Sequence, residues 1–223
     1  MLGSTRIRKA ARESEKRGPN AVLQPRKRPR QARSRATYTS LLDAAARLLE
    51  QHGYAALTTT HVAHAAGVAV GSLYEYFPTK EVIVAELVRR TMAEVAQEVG
   101  ESFRAAIDQR FARGFSVWVD TCFRAVQRRG KLMRVLWMDV PFLWELSEVQ
   151  SLPLLLLAIA RQGLPEATSP WLLKDPEAAT YLLTVMIRAA IVESVVARPS
   201  HLSMSQVQSS LTDLLESVLL RSA

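Results

Sequence analysis

The chain has 223 residues, of which 48% are hydrophobic, so it is long enough for one large folded domain or two small ones. No apolar run near the N-terminus resembles a signal peptide, and the most apolar stretch, Leu152 to Ala160, is too short to span a bilayer. The single cysteine, Cys122, excludes an intramolecular disulfide and zinc clusters built on cysteines. These features predict a soluble cytoplasmic protein.

Positive charge is concentrated at the N-terminus. Residues 1–35 hold twelve Lys or Arg and two Glu, a net charge of +10, whereas the whole chain carries +8. The densest part, residues 25–35, contains two prolines and almost no apolar side chains, so we expect residues 1–34 to form a disordered basic arm. Such an arm either neutralises DNA phosphates, a role to which we assign Arg33 and Arg35, or serves only as a solubilising tail.

The first predicted helix begins near Thr37. Its apolar residues recur at spacings of three and four between Tyr38 and Leu49, which places them on one face. Gly53 follows as the expected left-handed cap of this helix. Thr58 then stands where an N-cap belongs, so a second helix of about two turns is predicted to start there.

Two further helices follow in close succession. Gly67 ends the second helix, and a third short helix is predicted from about Val70 to Phe77, where Pro78 stops it. Thr79 can cap a long fourth helix, which we expect to run to about Val99. Two short helices joined by a tight glycine turn indicate a helix-turn-helix over residues 58–77.

The remainder of the chain alternates long helical patterns with short breaks. Helices are predicted over residues 103–129 (as one helix or two), 131–139, 142–161 with Pro153 as a kink or break, 175–197 and about 205–220. No stretch shows the sustained alternation of a strand. We therefore predict an all-α protein of about nine helices, in which an N-terminal three-helix unit is followed by a larger helical domain.

The start of the third helix carries small side chains, namely Ala69, Val70, Gly71 and Ser72. Small side chains allow a helix backbone to approach a DNA groove closely, and a serine can bond a phosphate or a base edge. Tyr74, Tyr76 and Lys80 carry hydroxyl or ammonium groups on long side chains, so we interpret them as phosphate contacts beside the groove. The alternative is a helical subdomain whose aromatic residues are all core, an interpretation we accept for Leu73 and Phe77.

Residues 57–83, LTTTHVAHAAGVAVGSLYEYFPTKEVI, resemble the DNA-binding signature of the TetR family of bacterial transcriptional regulators. The resemblance extends from about Arg35 to Val95. It implies a DNA-binding domain at residues 35–95 with a recognition helix at about Ala69 to Tyr76. It also implies a homodimer, and a C-terminal domain at residues 96–223 that binds a small inducer. Carried over by position, the expected DNA contacts are Thr59, Thr60, Gly71, Ser72, Tyr74, Tyr76 and Lys80.

One position departs from the family pattern. The family often has serine where this chain has Ala69, so the recognition helix lacks its usual capping side chain. An N-cap contributes about 0.5–2 kcal/mol, and the free helix is therefore expected to be held less firmly at its start. Val70 is also apolar, which predicts contact with a thymine methyl group rather than hydrogen-bonded readout.

Aromatic, sulfur-containing and other apolar side chains are concentrated in the region after the fourth helix. Such a set is typical of a pocket for an apolar or aromatic small molecule, and equally typical of an ordinary helical core. We predict an effector pocket, with the core alternative open, from Phe115, Trp118, Cys122, Met133, Trp137, Phe142 and Trp144.

The last two predicted helices, residues 176–197 and 205–220, carry apolar side chains on broad faces. The family resemblance implies that they pack against a partner subunit in a four-helix interface. Packing within their own domain is the alternative. We expect no membrane partner.

Signals for other chemistry are weak. His61 and His64 lie three residues apart on the second helix, but no third ligand is near them in sequence, so we predict no metal site and no cofactor. Motifs for nucleotide binding and for nucleophilic catalysis are absent from the sequence, which disfavours an enzyme.

We therefore predict a dimeric transcriptional regulator, a repressor that binds a (pseudo)palindromic operator on double-stranded DNA and is released by a small hydrophobic or aromatic effector. The alternative is an all-α small-molecule carrier or enzyme with an incidental N-terminal helical unit. The basic arm directly before that unit favours the regulator.

Overall fold

A computed structural model of the protein describes residues 23–108, 111–151, 158 and 175–219. These residues form nine α-helices and one 3-10 helix, and no strand occurs among them. In chain order they are α1 (Ala32–Ala56), α2 (Thr59–Ala65), α3 (Val70–Tyr74), α4 (Lys80–Asp108), α5 (Phe111–Gln127), α6 (Gly130–Asp139), the 3-10 helix (Leu143–Glu145), α7 (Ser147–Gln150), α8 (Pro176–Val196) and α9 (Met204–Leu219). The prediction of an all-α fold is confirmed.

The chain divides into two compact units. The first unit contains the residues up to Thr91 together with Val135–Gln150, and the second contains Met92–Arg134 and the residues from Ser151 onward. The sequence-based boundary at residue 95 differs from this division, because it left Val135–Gln150 in the C-terminal domain. Contacts between segments distant in sequence, which periodicity does not reveal, group that stretch with the N-terminal helices.

Side-chain caps set several helix starts where the sequence predicts them. Thr58, Thr79 and Asp175 each accept a hydrogen bond from the backbone N–H three residues further along the chain. At the start of α9, Ser203 and Gln206 cap each other reciprocally, since each side chain accepts the other's backbone N–H. These bonds satisfy N–H groups that have no partner within the helix.

Two glycines with positive φ shape the first unit. Gly53 has a φ of 73° and interrupts α1, although helical structure resumes for a short stretch to Ala56. Gly67 has a φ of 65° and makes the turn between α2 and α3. A residue with a Cβ atom is destabilised by about 1–2 kcal/mol at positive φ, so glycine is the residue that suits both positions.

Two helix lengths differ from the prediction. The long helix α4 continues to Asp108 rather than ending near Val99. The predicted helix over residues 142–161 is replaced, in its described part, by the 3-10 helix and α7, because the backbone of Leu146 is extended between them. The expected break at Pro153 lies outside the described residues.

Each unit has its own apolar core. In the first unit the buried side chains come from α1 to α4 and from Val135–Gln150, and include Leu41, Leu49, Val62, Leu73, Phe77 and Ile83. In the second unit they come from the rest of α4 and from α5, α6, α8 and α9, and include Phe103, Trp118, Phe123, Met133, Ile191 and Leu215. The core of the first unit lies directly beneath α3, and it determines which residues of that helix remain exposed.

Candidate nucleic-acid interface

The helix α3 has only five residues, Val70–Tyr74. An isolated helix of this length is unstable in water, because nucleation costs more than one turn of hydrogen bonds returns. It persists here because Leu73 and Phe77 are fully buried beneath it. At its start Ala69 provides no side-chain cap, as the sequence predicted. Tertiary packing therefore holds this helix in place.

The outward surface at the start of α3 consists mainly of backbone and small side chains. Ala69 and Gly71 are exposed, and Val70 and Ser72 are half-buried. A Cβ atom placed on Gly71 would meet no other atom within 4 Å, so the space in front of this residue is open. A flat surface of this kind allows close approach by a partner of complementary shape, such as a groove of duplex DNA.

The start of α2 is linked to the end of α3 by two exposed hydroxyl groups. Thr59 Oγ1 and the phenolic oxygen of Tyr74 lie 3.0 Å apart, within hydrogen-bonding distance. Thr60, next to Thr59, is exposed, as is His61. Two predicted contact residues from different helices are thus brought together.

Tyr76 does not occupy the exposed position that we predicted for it. Only 7% of its surface is exposed, and its ring lies edge-on to Tyr38, with 5.5 Å between the ring centroids. The physical reason is helical spacing, since Tyr76 and Phe77 follow Leu73 by three and four residues and so share its inward side. The expectation that Tyr76 projects outward beside Tyr74 is therefore wrong.

Lys80 is also engaged by the protein. Its ammonium group donates a hydrogen bond of 3.2 Å to the carbonyl oxygen of Tyr54 and lies 4.5 Å from the centroid of that residue's ring. The hydroxyl group of Tyr54 in turn donates to Glu81 at 3.3 Å. Burial, followed by the nearby Glu81 carboxylate, raises the pKa of Tyr54 to about 12, so this phenol stays neutral.

The end of the basic arm is ordered, contrary to the predicted disorder of residues 1–34. Leu23 is buried, and the backbone N–H of Arg26 donates to the carbonyl oxygen of Tyr76 at 2.9 Å. The ammonium group of Lys27 lies 2.5 Å from a carboxylate oxygen of Glu75, which raises the pKa of that lysine. Charge and proline content indicated disorder, but local composition cannot reveal bonds to residues about fifty positions away. Residues 1–22 lie outside the described part of the chain.

Arg33 and Arg35 belong to the first turn of α1 rather than to an arm. Both are exposed, and the guanidinium group of Arg35 donates to the carbonyl oxygen of Arg30 at 2.6 Å. Arg30 itself is exposed. The helix therefore carries two exposed cations at its start, close in sequence to the ordered end of the arm.

The seven residues predicted to line an effector pocket are divided between the two units. Trp118, Cys122 and Met133 are buried in the second unit, where the rings of Trp118 and Phe103 pack edge-on with 5.2 Å between centroids. Burial raises the pKa of the Cys122 thiol, which keeps it protonated. The side chain of Phe115 lies outside the described residues.

The other three predicted pocket residues belong to the first unit. The rings of Trp137 and Trp144 pack edge-on with 5.0 Å between centroids, and 53% of Trp144 is exposed. Phe142 is buried, and its ring lies 6.1 Å from that of Tyr54. The first unit thus presents an exposed tryptophan beside a second one, instead of a fully buried cluster.

This arrangement of α1, α2 and α3, with a short second and third helix joined at Gly67, is that of a helix-turn-helix protein. The family described as "Bacterial regulatory proteins, tetR family" matches residues 41–87, which cover α2, α3 and parts of the two flanking helices. By sequence, residues 41–87 are therefore a domain of the TetR family of bacterial regulators.

Individual relatives agree with this assignment. The transcriptional repressor KstR2 of Rhodococcus jostii (strain RHA1) is 38% identical over 72 residues, which are 32% of this chain and 35% of that protein. The fatty acid metabolism regulator protein of Bacillus subtilis (strain 168) is 31% identical over 70 residues, or 31% of this chain and 36% of that protein. Each of these matches spans only about a third of the relative's length.

Among solved structures, the fatty acid degradation regulator FadR of Bacillus halodurans is similar with a TM-score of 0.64 and 20% identity. The similarity covers 84% of this chain and 96% of the FadR chain. A likeness at this level of identity concerns the fold. Because it covers 84% of this chain, the shared fold extends well beyond the helix-turn-helix.

The burial of Tyr76 and the exposure of Tyr74 give a prediction about stability. Tyr76→Ala should lower the free energy of unfolding by about 3 kcal/mol or more, because it removes a buried ring from the core. Tyr74→Ala should cost about 1 kcal/mol or less, because 40% of Tyr74 is exposed. Urea unfolding of the two matched variants measures both values, and equal losses would contradict the described placement of the two rings.

Proposed function

We propose that the protein is a cytoplasmic transcriptional regulator that binds double-stranded DNA as a homodimer and acts as a repressor released by a small hydrophobic effector. One observation carries this proposal: the start of α3 presents the exposed Ala69 and Gly71 between half-buried small side chains, and the buried Leu73 and Phe77 support it from beneath. A surface built for close approach on a packed support is what major-groove recognition requires. An enzymatic role is not part of the proposal.

In this proposal α3 enters the major groove and α2 lies across the DNA backbone. Ser72 and Val70 read base edges, through a hydrogen bond and through contact with a thymine methyl group respectively. The hydroxyl groups of Thr59, Thr60 and Tyr74 contact phosphates, and Arg33 and Arg35 add charge at the start of α1. Gly71 supports this assignment, because the open space in front of it is where a base pair would lie.

Lys80 and Tyr76 are less available for DNA contact than the other assigned residues. The ammonium group of Lys80 would have to leave the carbonyl oxygen of Tyr54 before it could pair with a phosphate. Tyr76 is mostly buried, so its share in DNA contact is limited to its small exposed part.

Two hydroxyl deletions separate base reading from phosphate contact. Ser72→Ala should change the order of preference among operator variants, with discrimination altered by about 1–3 kcal/mol at one base pair. Tyr74→Phe should weaken binding to all variants by a similar factor, because phosphates carry no sequence information. Fluorescence anisotropy across a panel of single-base operator variants measures this. A changed preference with Tyr74→Phe and none with Ser72→Ala would contradict the placement of α3.

The homodimer is proposed to form through α8 and α9. Three apolar side chains of α8 are exposed: Tyr181, Leu182 and Met186. They lie on one side of the helix, because Leu182 follows Tyr181 directly and Met186 follows Leu182 by four residues. On α9, 49% of Leu214 is exposed. A second copy of the chain would cover both faces in a four-helix interface. By length and mean hydropathy alone, residues Glu177–Val196 could also cross a membrane.

A charge on the exposed face of α8 tests the dimer. Leu182→Glu should convert the protein to a monomer, because an unpaired carboxylate would be buried in the interface. Val117→Glu is the matched control: Val117 is also an exposed apolar residue of the second unit but lies on α5, so its variant should remain dimeric. Sedimentation velocity measures the mass of both variants. A dimeric Leu182→Glu protein, or a wild-type protein found only in membranes, would rule out this interface.

The effector is proposed to be a small hydrophobic or aromatic molecule that binds in the second unit. Trp118, Cys122 and Met133 supply buried apolar surface there, and the buried Cys122 is unsuited to a reactive role. The names of the Bacillus relatives concern fatty acid metabolism and degradation. Fatty acids and their thioesters are therefore the first candidates, with planar aromatic compounds as the second class.

An effector of this kind must weaken operator binding, and the operator must weaken effector binding by the same factor. We expect a coupling of about 1–3 kcal/mol. Titration of candidate fatty acids with and without operator, followed by tryptophan fluorescence, measures it. Trp118→Phe should weaken the effector response but preserve operator binding without effector. Identical affinity in both titrations would exclude that compound as the effector.

A further inference from the structure

The segment Leu23–Arg28, which we call the brace, is bonded to the C-terminal end of α3. The guanidinium group of Arg26 donates to the carbonyl oxygen of Tyr74 at 3.1 Å. The backbone N–H of Arg26 donates to the carbonyl oxygen of Tyr76 at 2.9 Å. Lys27 pairs with Glu75 at 2.5 Å. The last carbonyl groups of a helix have no partner within it, so the brace supplies partners that the five-residue helix itself cannot.

The brace is fastened to the rest of the first unit by Arg89. This residue is only 9% exposed, and its guanidinium group donates to the carbonyl oxygen of Leu23 at 3.0 Å. It also donates to Glu86 at 3.2 Å and to Glu148 at 2.8 Å. A buried guanidinium group must be paired, and these three bonds divide it between the brace, α4 and α7.

Direct contact with DNA does not explain these bonds. Arg89 is buried and its guanidinium group is directed at three protein oxygens. The ammonium group of Lys27, besides its bond to Glu75, lies 5.0 Å from the centroid of the Tyr76 ring. Two cations of the basic arm, Arg26 and Lys27, thus bond to the end of α3 instead of pointing away from the protein.

We propose that Arg89 is a positioning residue for DNA binding, which acts by holding the brace and thereby fixing the orientation of α3. This inference rests on the proposed function, in which α3 is the recognition helix. Arg89 bonds to Leu23 at one end of the brace, and Arg26 of the brace bonds to the end of α3. These bonds together set the angle at which α3 meets a groove. Loss of the bond should therefore affect both affinity and sequence preference, because a misplaced α3 meets the bases at a different angle.

The test uses the full-length protein and a duplex selected by the wild-type protein from a random pool. Arg89→Lys retains the charge but loses the forked geometry that reaches three oxygens. We expect operator affinity to fall about fivefold to tenfold, the effect of losing the equivalent of one ordinary hydrogen bond. The slope of log affinity against log salt should stay the same, since a lost phosphate contact would change it by about 0.9.

Arg90→Lys is the matched control. Arg90 is the next residue of α4 and pairs with Asp43 of α1 at 2.7 Å. The same substitution there should leave operator affinity within about twofold and the preference among operator variants unchanged. Hydrogen exchange should accelerate at residues 23–28 and 70–76 in Arg89→Lys and not in Arg90→Lys.

A second variant keeps the proposal testable if Arg89→Lys does not fold. Arg26→Gln keeps the backbone bond to Tyr76 but loses the guanidinium bond to Tyr74, and it lies on the surface. It should weaken binding and alter operator preference with an unchanged salt slope. A slope reduced by about 0.9 would show that Arg26 contacts a phosphate, and would overturn the proposal.

The outcomes separate this proposal from the proposed function. A wild-type protein that selects no duplex from the pool refutes the regulator itself. A wild-type protein that binds its operator, with Arg89→Lys and Arg90→Lys indistinguishable from each other in affinity and preference, refutes only the role of Arg89.

Discussion

A helix of only five residues, such as α3, depends on the tertiary contacts that hold it in place. Leu73 and Phe77 are fully buried and Tyr76 is nearly so, and the ring of Tyr38 from α1 packs against both aromatic residues. With these side chains directed inward, Ala69 and Gly71 are exposed at the start of α3, and Val70 and Ser72 are half-buried. The same packing that stabilises the helix therefore creates the small-residue surface that we assign to DNA.

The two ends of α3 are held differently. Its start has no side-chain cap, since Ala69 carries no hydrogen-bonding group. Its end is tied by Arg26 and Lys27, which belong to a segment whose composition alone suggests a disordered tail. Firm attachment at one end compensates for the missing cap at the other, and it gives part of the basic arm a structural role beside any electrostatic one.

Two helices, α4 and α6, connect the two units covalently, each with residues in both. Arg89 lies on α4 and Glu148 in the short helix that follows α6, and their ion pair joins these two segments within the first unit. Charge-assisted bonds to a buried cation are costly to break, so this ion pair holds the two segments together within the first unit.

The sequence by itself determined the all-α class, most helix starts and the position of the helix-turn-helix, because periodicity, caps and glycine turns are local signals. It also identified the small residues at the start of α3 and the missing cap at Ala69. Tertiary structure alone decided that Tyr76 is core while Tyr74 is exposed, that Lys80 bonds to Tyr54, and that Val135–Gln150 joins the N-terminal unit. It alone placed residues 23–28 against α3 and α4, since those bonds join residues 48 to 66 positions apart, a separation at which composition and spacing carry no information.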